Sequence, residues 1–292
     1  MLKRKALRKI FITTLSMLII LTIYTIPTTQ KPKVLRTNLE IEDITNLSTD
    51  KIYLLNNDNY LVKTDVFIDS NKKIEKIIEY LTINNNKIPS NLNGYIPKNT
   101  KLLNYNIESN SLLLNFSKEF KNSSIEEIMI TGIVYSLLEL TDIKEVSIQV
   151  ENNFYKNYTN LNKDIGINKN IMYTNRKDIN KVVTYYLDKE DTYYVPITNY
   201  LNDKREKIEI IIDSLKETKK NLISYISDNT KLLNYQEDNN LLILNFSKEL
   251  KNKNTNSEEK ILNTISYSVF DNYDVNMVLF QIEGETYKYI KR

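Results

Sequence analysis

None of the 292 residues is cysteine or histidine, and only 4 are glycine and 5 proline. Without cysteine there is no disulfide framework and no thiol to carry a lipid, so each folded domain must rest on its own hydrophobic core. Domains of about 110 residues can do that. Without histidine or cysteine the chain cannot build a Ser-His-Asp or Cys-His site, a thiolate nucleophile or a His-rich metal cage. No Gly-rich phosphate loop is present either, and no cofactor is expected. Charge of one sign is also lacking. There are 40 Lys and Arg against 37 Asp and Glu, and setting aside the five basic residues Lys3, Arg4, Lys5, Arg8 and Lys9 leaves 35 against 37. A near-neutral body has no basic footprint, which removes DNA and RNA as leading partners.

What is present is a duplication. Residues 99–122, NTKLLNYNIESNSLLLNFSKEFKN, return as residues 229–252, NTKLLNYQEDNNLLILNFSKELKN. An offset of about 130 residues is too long for a solenoid repeat, so a whole domain has been copied. Leu112, Leu114 and Phe116 fall on one side of a period-two strand, and Leu242, Leu244 and Phe246 reproduce that side. This side is the expected buried face. The stretches 106–110 and 236–240 differ almost completely yet are both polar, as exposed hairpin tips should be.

The five basic residues precede an uncharged run whose apolar members include Ile10, Phe11, Leu15, Leu18, Ile19, Ile20, Leu21, Ile23 and Ile26. At about 17 residues this run meets the short limit for a membrane-spanning helix, and the basic cluster places its amino terminus in the cytoplasm. The remainder should lie outside. No small-x-small cleavage site follows, so an uncleaved single-pass anchor is expected in preference to a cleavable signal peptide. A core helix fits poorly because the run has no polar face.

The resulting division is an anchor or signal over 1–30, a linker over 31–50, a first domain over 51–152, a connecting segment over 153–180 and a second domain over 181–292. Each domain opens with a hairpin: residues 52–55 and 60–62 around a polar turn at 56–59, answered by 185–187 and 193–195. Ile74, Ile77, Ile78 and Leu81 then recur at helical spacing, as do Ile208, Ile211, Ile212 and Leu215, with charged residues outward. Ser123 stands three residues before Glu126, and Thr255 three before Glu258, which predicts capping boxes. The helices that follow should bury Ile130, Ile133, Val134 and Leu137, matched by Leu262, Ile265, Ser266 and Val269; the serine suggests a looser second core. Strands at 146–150 and 278–282 close the units. The predicted fold class is α+β, two tandem ββαββαβ domains behind a membrane helix. At nearly thirty residues the connecting segment is long for a bare loop, so part of it should lie ordered across the first domain.

This pattern, carried most specifically by Leu112, Leu114, Asn115, Phe116, Ser117, Lys118 and Glu119 and by Leu242, Leu244, Asn245, Phe246, Ser247, Lys248 and Glu249, resembles the GerM domain of sporulation and spore germination proteins. The closing turn glycine stands as Gly284 in the second copy and is replaced by Asn152 in the first; Asn also tolerates the left-handed region. The resemblance implies an extracytoplasmic role in spore formation or germination and supplies no catalytic residues. It departs in one respect: such proteins are typically lipoproteins, and here anchoring must pass to Ile10–Ile26.

Two features tempt toward catalysis, and they leave a wall-modifying hydrolase only as a distant third reading. Ser117 and Lys118, repeated as Ser247 and Lys248, are neighbours in extended chain and point to opposite faces. Glu119 and Glu249 could in principle be the paired acids of a wall-cleaving hydrolase, but nothing in the sequence places them together. The expectation is a non-enzyme that assembles or positions an envelope complex through protein partners, self-association included. The alternative is a binding module for peptidoglycan or another ligand, using tyrosines such as Tyr60, Tyr193 and Tyr194. Tyrosine in strands is more often half-buried packing.

Overall fold

The computed structural model describes residues 4–25, 47–85, 87–217, 219–251 and 255–292. Helix α1 (Arg4–Thr25) belongs to a unit of its own. Ile10, Phe11, Leu15, Leu18, Ile19, Ile20 and Leu21 are exposed along it, Ile23 lies within it, and Ile26 lies outside the described residues. No helix among the described residues is long and apolar enough to cross a membrane; the uncharged run counted in the sequence ends beyond them.

In the first copy the order is β1 (Leu47–Asn56), β2 (Leu61–Asp69), α2 (Lys73–Tyr80), β3 (Leu92–Asn93), β4 (Leu102–Glu108), β5 (Ser111–Phe116), α3 (Glu126–Leu137), β6 (Glu145–Val150) and β7 (Asn153–Phe154). The connecting segment contributes β8 (Asn170–Ile171). The second copy follows with β9 (Asn180–Asp188), β10 (Tyr194–Leu201), α4 (Lys207–Lys216), β11 (Leu222–Ile223), β12 (Leu232–Asp238), β13 (Leu241–Phe246), α5 (Thr255–Asn272), β14 (Met277–Ile282) and β15 (Glu285–Lys291). The α+β class stands. To the predicted ββαββαβ order the structure adds a two-residue strand after the first helix and a strand that turns back after the last, in both copies. Of the expected linker over 31–50, residues 47–50 belong to β1, and 31–46 lie outside the described residues.

Each copy carries two sheets, ordered β2-β1-β3 and β4-β5-β6-β7 in the first, β11-β9-β10-β8 and β12-β13-β14-β15 in the second. β5 pairs in parallel with β6, and β13 with β14, because α3 and α5 cross over between them. The opening turns are held by one side chain each: Asn56 Oδ1 accepts from the Asp58 and Tyr60 N–H groups, and Asp188 Oδ1 from those of Thr192 and Tyr193. The β4–β5 and β12–β13 tips are tighter than the polar stretches suggest. They reduce to Ser109-Asn110 and Asn239-Asn240, while residues 106–108 and 236–238 belong to strands. The stripes Ile74, Ile77, Ile78, Leu81 and Ile208, Ile211, Ile212, Leu215 are buried as their spacing requires.

The capping box predicted at Ser123 does not form. Helix α3 starts at Glu126 itself, with Ile125 in the cap position, and Ser123 Oγ accepts only the Ile125 N–H. The Glu126 carboxylate turns instead to Tyr155, Lys156 and Tyr158 of the connecting segment. In the second copy the Glu258 carboxylate accepts from the Tyr287 hydroxyl, and the cap expected from Thr255 lies outside the described side chains. Tertiary partners outcompete the local cap.

Helix α3 packs against both β1 and β6 and is buried from Met129 to Leu137. Its place in the core rests on Gly132: a Cβ there would lie 2.3 Å from the Cζ and hydroxyl of Tyr95, a fully buried ring whose hydroxyl donates to the Tyr53 carbonyl. The second copy resolves the same crowding differently. Thr264 replaces the glycine, and Tyr225, the counterpart of Tyr95, lies half-exposed beside Asp191 and Lys260. Ser266 is fully buried and its hydroxyl has no hydrogen-bond partner among the described residues.

The connecting segment is ordered, as its length implied, and it serves both copies. Residues 155–161 run beside β6, with paired bonds between Val146 and Leu161 and between Ile148 and Tyr155 and Tyr158. Further on, β8 pairs in parallel with β10. Gly132→Ala should lower unfolding stability by roughly 1–3 kcal/mol through overpacking, and less than additively when combined with Tyr95→Leu. Chemical denaturation of the single and double variants checks this; an unchanged midpoint for Gly132→Ala would remove Tyr95 as the obstacle.

Candidate functional site

The repeated motif is a structural clasp. Leu112, Leu114, Phe116, Leu242, Leu244 and Phe246 are buried. Asn115 Oδ1 accepts from the Asn152 N–H and its amide donates back to the Asn152 side chain, at 3.0 and 2.7 Å. Asn245 keeps only the backbone half of this exchange, to Gly284 at 2.9 Å. These bonds hold two-residue turns whose members all have positive φ: Glu151 and Asn152 in one copy, Glu283 and Gly284 in the other. Ser117 and Ser247 exchange two bonds each with Lys101 and Lys231, fastening β5 and β13 to the chain entering β4 and β12. The Lys118 and Lys248 N–H groups donate to the Glu151 and Glu283 carboxylates. Glu119 and Glu249 are each held below the ordinary carboxylate range by their own serine, Ser117 or Ser247. Each acid keeps to its own copy.

A different constellation forms where the copies meet. Thr45–Arg292 is one unit, and its seam is stitched by Asn168, whose side chain accepts from Leu61 N and donates to the Leu61 and Pro196 carbonyls at 2.8–2.9 Å. One amide thus bridges β2 to β10. Ile167 is fully buried beside it, exchanging two bonds with Thr198. At the neighbouring turns Asp58 accepts from Lys189 and Asn221.

This seam brings equivalent residues together. Since β3 pairs with β1 only at Leu55 and Asn56, the Tyr53 N–H has no strand partner, and the Ser136 hydroxyl of α3 takes it at 2.9 Å. The Tyr185 N–H is taken by Ser268 of α5 at 2.8 Å for the same reason. Both tyrosine rings are thereby drawn inward, each toward an acid three residues after that serine: Tyr53 to Glu139 at 3.4 Å, Tyr185 to Asp271 at 2.7 Å. Burial, reinforced by both acids, pushes the two phenols well above their usual range, so they stay neutral donors.

The two acids differ. Glu139 pairs with Lys63 at 2.5 Å and Lys163 at 3.4 Å. Burial alone would raise its pKa; the two lysines outweigh that and hold it below the usual range. Asp271 accepts from Tyr185 and has no ion-pair partner among the described residues. Both line a cleft of about 540 Å³ between the copies. No group of three acids that could hold a metal ion occurs among the described residues. These residues escaped the sequence reading, although Tyr53 and Tyr185 stand at the same offset as Glu139 and Asp271, a repeat of paired chemistry that a full alignment of the copies would expose.

The sequence profile of the family described as "Germane: Sporulation and spore germination" matches residues 51–156 and 183–288. The chain belongs to this family. It is 23% identical over 265 residues to the spore germination protein GerM of Bacillus subtilis, covering 81% of this chain and 72% of that one. The solved structure of the tandem GerMN domains of the sporulation protein GerM from Bacillus subtilis superposes with a TM-score of 0.75 at 20% identity, over 85% of this chain and 97% of that one. The α+β architecture in two copies is thus that of tandem GerMN domains.

Two expectations follow from the seam. Asn168→Ala leaves the Leu61 N–H and two carbonyls without partners, at about 1–3 kcal/mol for each group that water cannot reach. Calorimetry should then show one unfolding transition broadening or splitting in two, and a single sharp transition at the original temperature would count against a seam held by this amide. Glu139, with its folded pKa depressed, contributes stability above its unfolded value of about 4.3 that is lost as pH falls through the folded value. Stability measured from pH 7 to 2.5 should therefore fall less steeply in Glu139→Gln, and identical acid limbs would sink this assignment.

Proposed function

We propose that this protein is a non-catalytic, membrane-anchored component of the sporulating cell envelope, its two domains facing outward from the cytoplasm and docking a protein partner to build or position a complex. Membership of a sporulation and germination family supports the setting. The basic cluster and the uncharged run Ile10–Ile26 support the anchor and its direction.

The observation that carries docking is the pair of unpaired edges. β4 and β12 are terminal strands of their sheets and lie exposed, without lysine or proline to blunt them. The first carries Leu103, Tyr105 and Ile107 in the open, the second Leu233 and Tyr235, with Glu237 in place of the isoleucine. Because Tyr105 and Ile107 lie opposite Leu114 and Leu112, they extend the apolar inner face beyond the edge. Such an edge offers a partner both backbone bonds and side-chain contact. The first copy is the more apolar of the two and is the principal docking edge.

Crosslinking of tagged full-length protein in spore-forming cells tests this. The unaltered chain should capture an envelope protein from the membrane fraction at the sporulation septum. Tyr105→Lys with Ile107→Lys should abolish capture while changing stability by no more than about 0.5 kcal/mol per site. Equal capture by the variant, or an even distribution around growing cells, would remove the reading.

A further inference from the structure

The cleft between the copies has a wall of aromatic rings, one acid and two cations without ion-pair partners among the described residues, and neither the clasp nor the exposed edges account for it. Tyr194 and Tyr267 meet edge to face at 4.9 Å, Tyr267 and Tyr185 at 5.8 Å, and the Tyr194 hydroxyl is fixed by the Asn263 amide at 3.1 Å. Phe270 completes the wall. These rings are held in place before any ligand arrives, which lowers the ordering cost of binding. At about 540 Å³ the cleft falls within the range of small-molecule sites, roughly 300–1,000 Å³.

Its charges are distributed in a way that selects a ligand. Lys51 is paired with Asp65, and Lys63 and Lys163 share the single charge of Glu139, so all three of these lining cations are engaged in ion pairs. Lys291 and Arg292 line the same cleft and make no ion pair among the described residues. Asp271 spends one hydrogen bond on Tyr185 and keeps accepting capacity toward the cleft. The occupant should therefore present a ring with a C–H face for the aromatic wall, hydroxyl donors for Asp271, and a single negative charge for Lys291 and Arg292. A polyphosphate would bring more charge than two free cations answer, and would meet Asp65, Glu139 and Asp271.

We propose that this cleft binds an acidic saccharide, a sugar ring bearing a carboxylate, with Asp271 accepting from its hydroxyls, Arg292 and Lys291 pairing with its carboxylate, and Tyr194, Tyr267 and Phe270 stacking on the ring. Two sources share this chemistry: the muramic acid of wall glycan and the uronic acids of other envelope polysaccharides. The site is independent of docking through β4.

The test is calorimetric titration of the full-length chain with N-acetylmuramic acid, glucuronic acid, the neutral N-acetylglucosamine and N-acetylglutamate. At least one acidic sugar should bind, and N-acetylglucosamine should bind at least about tenfold more weakly, as loss of a charge-assisted contact requires. Binding of N-acetylmuramic acid alone supports the wall as source; binding of glucuronic acid as well supports the wider class. Asp271→Asn should weaken binding by a similar factor at unchanged melting temperature. So should Lys291→Ala, at a residue whose side chain is exposed. The proposal is overturned if no sugar binds at millimolar concentration, if the neutral sugar binds equally, if N-acetylglutamate binds in their place, or if both variants bind as the unaltered chain does. Tyr105→Lys with Ile107→Lys should leave these titrations unchanged, so failure of docking and failure of sugar binding remain separable.

Discussion

A single amide sets the geometry of the paired domains. The opening sheets of the two copies approach each other through β2 and β10, and the Asn168 side chain stands between them as a peptide group would, accepting one N–H and donating to carbonyls on both sides. A buried strand edge left without partners costs several times the value of a hydrogen bond made. The connecting segment therefore does more than span a distance. It supplies polar groups at the one place where two sheets meet without pairing, and the apposition of Tyr53 with Tyr185 and the cleft beside them follow from it.

The same economy operates inside each copy. The third strand of the opening sheet is two residues long, which leaves backbone donors of β1 and β9 unpaired, and the crossover helices satisfy them with Ser136, Ser268 and Asn272. A helix asked to pack on two sheets and also to complete one of them cannot show a single apolar stripe. Its small polar residues look like interruptions in the pattern and are instead partners of the strands. The NFSKE motif belongs to this class as well: its asparagine and serine hold a turn and a strand entry, which is why the motif is shared while the exposed edges beside it vary.

Divergence between the copies is compensated locally. Gly132 admits the Tyr95 ring, whereas Thr264 excludes Tyr225 to a half-exposed position among charges. Asn152 supplies a second bond that Gly284 has no side chain to make. Glu139 is sealed by two lysines, while Asp271 keeps one face open to the cleft. Most of the inner faces have been kept for folding, and the asymmetry that distinguishes the copies lies at the seam, on the edges and at the Gly132–Tyr95 contact.

Periodicity and self-similarity were enough to reveal the duplication, the α+β class and the buried faces of α2, α4, β5 and β13, while the turn at Asn152 and Gly284 came with the family resemblance. Each depends on neighbours within a few residues, or on a pattern that repeats. The cap expected at Ser123 is absent because Glu126 has stronger partners at Tyr155 and Tyr158, some thirty positions away in sequence. The Tyr53–Glu139 and Tyr185–Asp271 pairs were illegible for a related reason: each joins residues some 86 positions apart, and only the seam brings one pair beside the other. Sequence alone determined two copies of one core. The tertiary structure decided how they face each other, because the hydrogen bonds and charges at their junction have meaning only once both cores have formed.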